Sequence, residues 1–457
     1  MKRTLNKETI KEAGKEVSIS GWVQTIRAHG KIVFFDLRDR SGILQVVFIP
    51  GSAAYEAMKE VKPEWVVRIE GIINKRPEKM VNPNLETGDV EMEAKEMKVL
   101  AKSDPIPFDY TERDIQATLP VILDNRPLTI RNEKIKAAFK VGDELTDSFR
   151  KTLKSEGFTE FQSPNIVPAV AEGGAEIFKI DYYKNKAYLA QSPQLYKQIM
   201  LGAFERVFTI ARVFRAEPSV TTRHISEFTS LDVEMAFIES WEEVMSMCGT
   251  VIKNIVRDVW EKCQKEIGLY GMEKPKLGEE IPKVKMREAQ EIIFKRTERD
   301  HRKEPDLDPE DEKEICQWAL GEYGSDFIFI THYPTKKRPF YTFADPKDSD
   351  YTLSFDLLFR GLEIVTGGQR INDYEKLTAN IKKWGNDVKN FSFYLQAFKY
   401  GLPPEGGFAI GQERMVKQFL GLSNLREAVP FPRDMERIDL RLSLNKKKDG
   451  KGKKEKK

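Results

Sequence analysis

The chain has 457 residues, of which 40% are hydrophobic and 32% are charged, and its net charge is only +3, so it can bury a sizeable core over about three domain-sized units. No apolar run approaches the roughly 18–20 residues that cross a bilayer, and residues 1–17 lack the apolar stretch of a signal peptide. Three widely spaced cysteines without a CxxC pair argue against a disulfide framework and a cysteine zinc site, so we expect a soluble cytoplasmic protein without membrane association.

Residues 1–103 predict an all-β domain. Apolar residues alternate with polar ones in five short runs, which begin near Val17, Ile32, Ile43, Trp65 and Val90. Residues 39–42, Asp-Arg-Ser-Gly, predict a turn between the second and third strands, and residues 51–62 are compatible with a helix before the fourth. Five strands with this one interruption predict an OB-fold β-barrel.

One face of this barrel carries residues that could stack and read single-stranded bases. They are Arg27, Phe34 or Phe35, Gln45 and Glu70. From the pattern alone, both phenylalanines are better explained as barrel core, because this part of the chain is only mildly basic.

The rest of the chain predicts a hinge and a larger domain. Residues 104–131 hold four prolines and no steady periodicity, which predicts the hinge. Residues 132–445 begin with a long amphipathic helix that ends at Gly157, and the strands that follow are separated by irregular loops. This order favours an antiparallel sheet flanked by helices, with residues 241–325 as a helical insertion, so the predicted fold class is α/β of the α+β kind.

The segment RVFTIARVFRAEPSVTTRHISEFTSLDVEMAF, residues 206–237, predicts two strands around a polar loop. Side chains alternate along a strand, so Arg215 and Glu217 share a face of the first run. One face of the second run carries Phe228, Ser230, Asp232 and Glu234. Cations, carboxylates and an aromatic ring in such close order suit a site that clamps a phosphate and stacks a base; a solvated sheet face is the alternative.

The segment SFDLLFRGLEIVTGGQR, residues 354–370, predicts a hairpin. Arg360 and Gly361 are placed to turn the chain so that Asp356 and Glu363 approach each other. Two carboxylates near a triphosphate would hold Mg²⁺ through oxygen ligands.

The segment GGFAIGQERMVKQFLGL, residues 406–422, predicts a strand, a glycine break and a helix. Glu413 and Arg414 then lie at the N-terminus of that helix, where an anion is favoured. Beyond it, residues 446–457 are rich in lysine and are predicted to be disordered. This tail either tethers a polyanion such as RNA or serves as a solubilising end.

Taken in order, the motifs FRAE…RHISEF, FDLLFRGLEI…GGQR and GQER resemble those of a class II aminoacyl-tRNA synthetase, and within that class of an aspartyl-tRNA synthetase of the archaeal/eukaryotic type. The segment AQSPQLYKQ, residues 190–198, is the most specific match, and Pro164 matches a proline of the family's dimer interface. The likeness leaves out only the lysine tail, and it implies that residues 132–445 form the catalytic domain.

The resemblance implies an ATP-dependent ligase. It would activate L-aspartate to aspartyl-adenylate and pyrophosphate, and then transfer aspartate to the 3′ end of tRNA-Asp. Mg²⁺ is the expected metal and a homodimer the expected assembly, and the barrel would read the anticodon. Whether tRNA-Asn is charged as well stays open.

The resemblance also implies site residues at the matching positions. Catalytic roles fall to Arg215, Glu363 and Arg414. ATP would be bound by Arg215, Glu217, Arg223, His224, Phe228, Glu363, Gly411, Glu413 and Arg414, with the adenine between Phe228 and Arg414. Mg²⁺ would be bound by Asp356, Glu363 and Thr366. Aspartate would be bound by Glu172, Gln194, Lys197, Arg215, Thr366 and Arg370. The anticodon would be bound by Arg27, Phe34 or Phe35, Gln45 and Glu70.

The choice of amino acid has a physical argument. A lysine and an arginine, Lys197 and Arg370, that converge on a small pocket select a carboxylate, because the neutral amide of asparagine would leave two buried cations unpaired. The expected discrimination is roughly 10³-fold or more. Asparaginyl-tRNA synthetase shares the motifs but is not expected to carry a lysine at position 197, so it ranks below the aspartyl interpretation.

Two further alternatives are open. One is a non-catalytic RNA-binding protein on a synthetase body, against which the intact Arg215, Arg223, Glu363 and Arg414 argue. The other is an asparagine synthetase of synthetase ancestry, which would need no anticodon domain. Residues 218–220, Pro-Ser-Val, depart from the family pattern, and this puts contacts with the acceptor end of tRNA in doubt.

Overall fold

The computed structural model describes residues 1–168, 177–218 and 220–442. The chain divides into two compact units, Met1–Glu112 and a second from Arg113 onward, and each is described by itself. The boundary between them falls within the segment 104–131 that the sequence predicts as a hinge. No helix among the described residues is long and apolar enough to cross a membrane. The lysine-rich tail, residues 446–457, lies outside the described residues.

The first unit contains a closed five-stranded barrel in the order β1-β2-β3-β5-β4, which confirms the predicted OB fold. Asp39 forms the predicted turn, because its Oδ1 accepts hydrogen bonds from the backbone amides of Ser41 and Gly42. The elements are β1 Glu16–His29, β2 Ile32–Asp39, β3 Gly42–Phe48, α1 Ala53–Met58, β4 Val66–Lys75 and β5 Val90–Ala101, with 3-10 helices at Asn6–Lys11 and Glu78–Met80.

The second unit is built on an eight-stranded sheet in the order β12-β13-β16-β17-β18-β11-β10-β6. Its two end pairs, β12–β13 and β10–β6, are parallel and the others are antiparallel, so the sheet is mixed, with the predicted antiparallel order in its central strands. Its first half comprises α2 Leu119–Asp124, α3 Arg126–Thr129, α4 Glu133–Ser155, β6 Thr159–Glu160, β7 Ile166–Val167, β8 Lys179–Tyr182, β9 Asn185–Leu189, α5 Gln194–Phe204, β10 Arg206–Phe214, β11 Glu227–Ala236 and α6 Trp241–Lys262.

Its second half comprises α7 Gln264–Gly268, β12 Lys283–Lys285, α8 Met286–Thr297, α9 Pro309–Tyr323, β13 Phe327–Thr331, β14 Ala344–Asp345, β15 Asp348–Thr352, β16 Ser354–Phe359, β17 Leu362–Gln369, α10 Tyr374–Lys383, α11 Ser392–Lys399, β18 Glu405–Gly411 and α12 Gln412–Leu420. Short 3-10 helices lie at Thr335–Lys337, Val388–Phe391 and Leu425–Ala428. Small sheets β7-β9-β8 and β14-β15 lie outside the main one.

The main core lies between the sheet and helices α4 and α6. The side chain of Asn132 caps α4 by accepting from the amide of Ile135 at 3.0 Å, and the helix buries the predicted apolar side. The interpretation of 241–325 as an insertion needs a correction at its start, because the apolar face of α6, from Val244 to Val259, belongs to this core. Helices α8 and α9 pack on β13 in a separate, smaller core.

Candidate active site

The floor of the candidate site is one face of the eight-stranded sheet. A row of paired residues crosses four neighbouring strands: Asp356, Thr366, Ala409 and Asp232. On β11 the predicted face alternates with Leu231 and Val233, which pack into the core on the other side. The sheet therefore presents to the site the polar side chains that the sequence placed on one face.

Four buried charged residues, here called the buried charge cluster, comprise Lys197 on α5, Arg370 just after β17, and Asp232 and Glu234 on β11. Lys197 Nζ lies 3.0 Å from Asp232 Oδ1 and 2.8 Å from Glu234 Oε2. Arg370 Nε donates to Glu234 Oε1 at 3.0 Å. Burial lowers the pKa of Lys197, but Glu234 and Asp232 raise it by more, so the ammonium group stays charged.

Gln194 lies on the same turn of α5 as Lys197 and is also buried. Its side-chain Nε2 makes no hydrogen bond with the described residues. A buried amide without an internal acceptor is available for a ligand, because an unmade hydrogen bond in the interior is costly. Glu172, the other residue expected to meet the amino group of the substrate, lies outside the described residues.

The segment between β10 and β11 places its cations near the aromatic ring. Arg215 Cζ lies 5.4 Å from the ring centroid of Phe228, a cation–π contact. His224 Nδ1 shares a hydrogen bond of 2.8 Å with Thr221 Oγ1, and its Nε2 lies 3.8 Å from Glu217 Oε2. Burial lowers the pKa of His224, so its imidazole is neutral at neutral pH. Ser219 lies outside the described residues.

The predicted hairpin joins β16 and β17. Arg360 and Gly361 form its two-residue turn, with φ of 47° and 82°, the left-handed region that such turns require. A register shift after Leu357 marks a bulge, which lets Glu363 and Thr366 meet although they are three residues apart: Thr366 Oγ1 donates to Glu363 Oε1 at 2.9 Å.

The two charged residues at the N-terminus of helix α12, Glu413 and Arg414, have different contacts. Gly411 is the N-cap, and Arg414 Nη1 donates to the backbone carbonyl of Glu363 at 3.0 Å, which places it beside the hairpin. Glu413 is buried, and its carboxylate accepts from the backbone amide of Thr229 at 2.9 and 3.1 Å. Glu413 is therefore committed to β11, whereas Arg414 faces the site.

Two residues that the sequence analysis did not select also lie here. Arg338 Nη2 pairs with Asp356 Oδ1 at 2.8 Å, and Glu312 on α9 forms an ion pair with Arg223. Glu312 Oε2 also accepts from the amide of Glu363 at 3.3 Å. Neither Arg338 nor Glu312 belongs to a motif, and each comes from a segment distant in sequence, so no local signal identifies them.

The carboxylates of this region form an oxygen-rich group with the Thr366 hydroxyl. Burial raises the pKa of Asp356 to about 7, with Glu363 adding to the shift and Arg338 opposing it. Burial likewise raises the pKa of Glu312 to about 7. Glu363, Thr366 and Glu312 offer oxygen atoms of the kind that bind Mg²⁺, while Asp356 and Glu312 are paired with arginines in the structure.

On the barrel, the two adjacent phenylalanines have different environments. Phe35 is completely buried, with its ring centroid 4.4 Å from that of Phe48, so its selection as an anticodon contact is wrong. Phe34 is half-buried, and it pairs with Arg27 across the β1–β2 ladder. The reason is alternation: Phe35 points inward with Leu37, and Phe34 points to the other face.

The face that carries Phe34 is polar. Arg27 Nη2 donates to Asp36 Oδ1 at 2.8 Å and to Gln45 Oε1 at 3.4 Å. Gln45 Nε2 in turn donates to Glu91 Oε2 at 2.9 Å. We call Arg27, Phe34, Asp36, Gln45 and Glu91 the barrel face. Glu70 is not part of it, because it pairs with Ser18 at the opposite end of β1.

Comparisons with known proteins agree with this architecture. The family model of class II tRNA synthetases (D, K and N) matches residues 119–435, and the model of the OB-fold nucleic acid binding domain matches residues 17–100. An aspartate–tRNA(Asp/Asn) ligase from Thermus thermophilus is 41% identical over 95% of this chain and 99% of its own length. An aspartate–tRNA(Asp) ligase from Pyrococcus abyssi is 37% identical over 93% of this chain and 96% of its own length.

Solved structures give the same picture. An asparaginyl-tRNA synthetase from Pyrococcus horikoshii with asparaginyl-adenylate has a TM-score of 0.88 at 30% identity, covering 96% of this chain and 99% of its own. An aspartyl-tRNA synthetase from Entamoeba histolytica has a TM-score of 0.84 at 27% identity, covering 96% and 93%. The chain is thus an aminoacyl-tRNA synthetase by fold, and it belongs to the class II family that comprises the D, K and N enzymes.

Proposed function

We propose that this chain is an aspartate–tRNA ligase that uses ATP. The observation that carries the proposal is the buried charge cluster, in which Lys197 and Arg370 are held by Asp232 and Glu234. Both cations are already paired with protein carboxylates, so the premise that asparagine would leave them unpaired is wrong. Selection rests instead on the hydrogen bonds that they offer: lysine and arginine side chains only donate, so they suit the carboxylate of aspartate and would oppose the NH₂ group of asparagine. Relatives about 40% identical over nearly the whole chain carry the name aspartate–tRNA ligase.

The reaction needs no protein nucleophile. The α-carboxylate of aspartate attacks the α-phosphorus of ATP, which forms aspartyl-adenylate and releases pyrophosphate. The terminal ribose hydroxyl of the tRNA then attacks the activated carbonyl and releases AMP. The protein contributes positioning and charge neutralisation, which account for most of the acceleration in phosphoryl transfer.

Individual roles are proposed from the resemblance to the family. Arg215 would neutralise charge that develops on the α-phosphate. Phe228 and Arg414 would enclose the adenine, while Arg223 and His224 would bind the outer phosphates. Arg223 would leave Glu312 to do so, because in the structure the two are paired. Glu172 would bind the amino group of aspartate. The free Nε2 of Gln194 is a donor, so it would meet a substrate oxygen rather than that amino group.

Mg²⁺ is part of the proposal. Asp356, Glu363 and Thr366 would hold it, with Glu312 as an additional oxygen donor beside Glu363. When bound, the ion would supply positive charge against the phosphates of ATP.

The barrel face would bind the anticodon of tRNA-Asp. Phe34 would stack on a base, and Arg27 and Gln45 would contact phosphate or base edges. Surfaces that bind single-stranded nucleic acids commonly combine aromatic stacking with basic groups in this way. Relatives with names specifying tRNA(Asp) alone and tRNA(Asp/Asn) are both similar to this chain, so both tRNAs are included as substrates to be tested.

We also propose a homodimer. Pro164, which matches a proline of the family's dimer interface, is exposed in the structure, and the apolar side chain of Ile166, two residues further on, is 45% exposed. Light scattering is expected to give twice the mass of the chain. The mass of a single chain would contradict this assembly.

Asparaginyl-tRNA synthetase is the second candidate, because the likeness to the Pyrococcus horikoshii enzyme has a TM-score of 0.88. The experiment is aminoacylation of purified tRNA-Asp and tRNA-Asn transcripts with radiolabelled aspartate, and with asparagine in parallel. Charging with aspartate supports the proposal, on one tRNA or on both. Charging with asparagine alone, or no charging at all, would contradict it.

A further inference from the structure

A further acidic side chain lies directly behind the buried charge cluster. Glu405, the first residue of β18, is completely buried. Gln198 Nε2 donates to Glu405 Oε1 at 2.6 Å, and Tyr394 Oη donates to Gln198 Oε1 at 2.9 Å. Oε2 of Glu405 accepts no hydrogen bond from the described residues. The carboxyl group of Glu405 instead contacts the carboxyl group of Glu234. The aspartate pocket therefore has a second layer on α5, α11 and β18.

Two buried carboxyl groups in contact retain one negative charge between them, because a second charge would be too costly. Lys197 and Arg370 both approach Glu234, whereas Glu405 receives the neutral amide of Gln198. The charge therefore belongs on Glu234 and the proton on Glu405.

The surroundings of both groups agree with this assignment. Glu405 faces Glu234 on β11, Arg370 after β17, and Gln198 and Tyr394 on α5 and α11. Burial raises the pKa of Glu405 well above its usual range, and Glu234 raises it further against the effect of Arg370. Burial also acts to raise the pKa of Glu234, but the charges of Lys197 and Arg370 lower it overall.

We propose that Glu405 is a positioning residue for aspartate: its protonated carboxyl donates to Glu234 and holds Glu234 between Lys197 and Arg370. The inference rests on the proposed function, since it concerns the same pocket. With Glu405 neutral, the two cations of the buried charge cluster balance its two anions. An ionised Glu405 would add a negative charge beside the site of the substrate carboxylate and weaken aspartate binding.

Two substitutions separate the parts of this role. Glu405→Gln keeps a neutral donor, and Glu405→Leu is neutral without a donor. In ATP–pyrophosphate exchange at neutral pH, we expect E405Q to keep the KM for aspartate within about threefold and E405L to raise it about tenfold or more, with the KM for ATP unchanged. The exposed Glu375→Gln on α10 is the matched control and should change neither KM.

Infrared spectroscopy tests the proton directly. The wild-type chain at neutral pH should show the carbonyl stretch of a protonated carboxyl that E405Q lacks, whether or not E405L folds. Absence of that difference, a wild-type KM for aspartate in E405L, or an E405Q as impaired as E405L would each overturn the proposal. If the wild-type chain activates no aspartate, the proposed function fails, and the infrared difference still tests the proton on Glu405.

Discussion

The buried charge cluster and the barrel face both pair arginine with carboxylates, yet they differ in burial. All four members of the cluster are at most 5% exposed, whereas Arg27 on the barrel face is exposed and Phe34 is half-buried. Removing one partner of a buried charge pair costs about 3–5 kcal/mol, while an exposed pair contributes about 0–1 kcal/mol. Charge should therefore decide binding in the cluster, and stacking should decide it on the barrel face.

The largest expected effect is on Lys197. Lys197→Met leaves Asp232 and Glu234 without their shared cation, so aspartate-dependent ATP–pyrophosphate exchange should fall by roughly 10³-fold or more while ATP still binds. The exposed Lys184→Met is the control and should behave as wild type. Aspartate turnover at the wild-type rate in Lys197→Met would remove the cluster from amino-acid selection; Arg370→Leu gives an independent second test.

A smaller change reaches the same cluster through the backbone. A Cβ on Gly407 would lie 2.1 Å from the backbone carbonyl oxygen of Val233 and 2.2 Å from Glu234 Oε2, so Gly407→Ala must displace that carboxylate together with the neighbouring strand. We expect the KM for aspartate to rise by roughly 10–100-fold, since one charge-assisted hydrogen bond is worth about 1.5–3 kcal/mol. Gly202→Ala on α5, where a Cβ meets no atom within 4 Å, should leave this KM unchanged. An equal KM in both variants would argue that Glu234 does not need its present position.

The two phenylalanines of β2 allow a buried residue and a more exposed residue to be compared within the barrel itself. Phe35→Ala should lower the free energy of unfolding of the barrel by about 3–5 kcal/mol, because it empties a core position. Phe34→Ala should change stability little but lower kcat/KM for tRNA charging by roughly 5–100-fold, the value of one stacked base, with pyrophosphate exchange unaffected. Thermal unfolding and charging assays on both variants measure this, and reversed outcomes would exchange their roles.

The smallest expected effect is on the exposed pair of the barrel face. Arg27→Met removes the contact with Asp36, and the free energy of unfolding should change by less than about 1 kcal/mol. Chemical denaturation measures this change. The contrasting variant is Arg38→Met, which removes the buried ion pair between Arg38 and Glu64. Equal destabilisation by the two substitutions would mean that burial does not separate these pairs.

Local pattern predicted those parts of the fold and the site that depend on neighbours in sequence. The Arg360-Gly361 turn brought Asp356 and Glu363 into one hairpin, and alternation on β11 placed Phe228 and Glu234 on one face. Alternation alone could not choose between Phe34 and Phe35, because Ile32 and Val33 give both faces of β2 an apolar start. Only closure of the barrel, which brings Phe48 against Phe35, decides between them.

Other features depend on distant contacts. Glu312, Arg338 and Glu405 each contribute a charged or acidic group near a predicted site residue, but they do so from α9, a loop and the start of β18. The pattern of α6 is that of any amphipathic helix, so it could not distinguish an insertion from a part of the core. Tertiary packing determines where these three side chains lie and whether α6 belongs to the core. The sequence carries no short-range signal for either feature.

The most direct test of the account is the amino-acid preference of the purified chain in ATP–pyrophosphate exchange, measured as kcat/KM for aspartate and for asparagine. If Lys197 and Arg370 select a carboxylate, aspartate should be preferred by roughly 10³-fold or more. Equal activation of the two amino acids, or a preference for asparagine, would contradict the assignment of the buried charge cluster as the aspartate site.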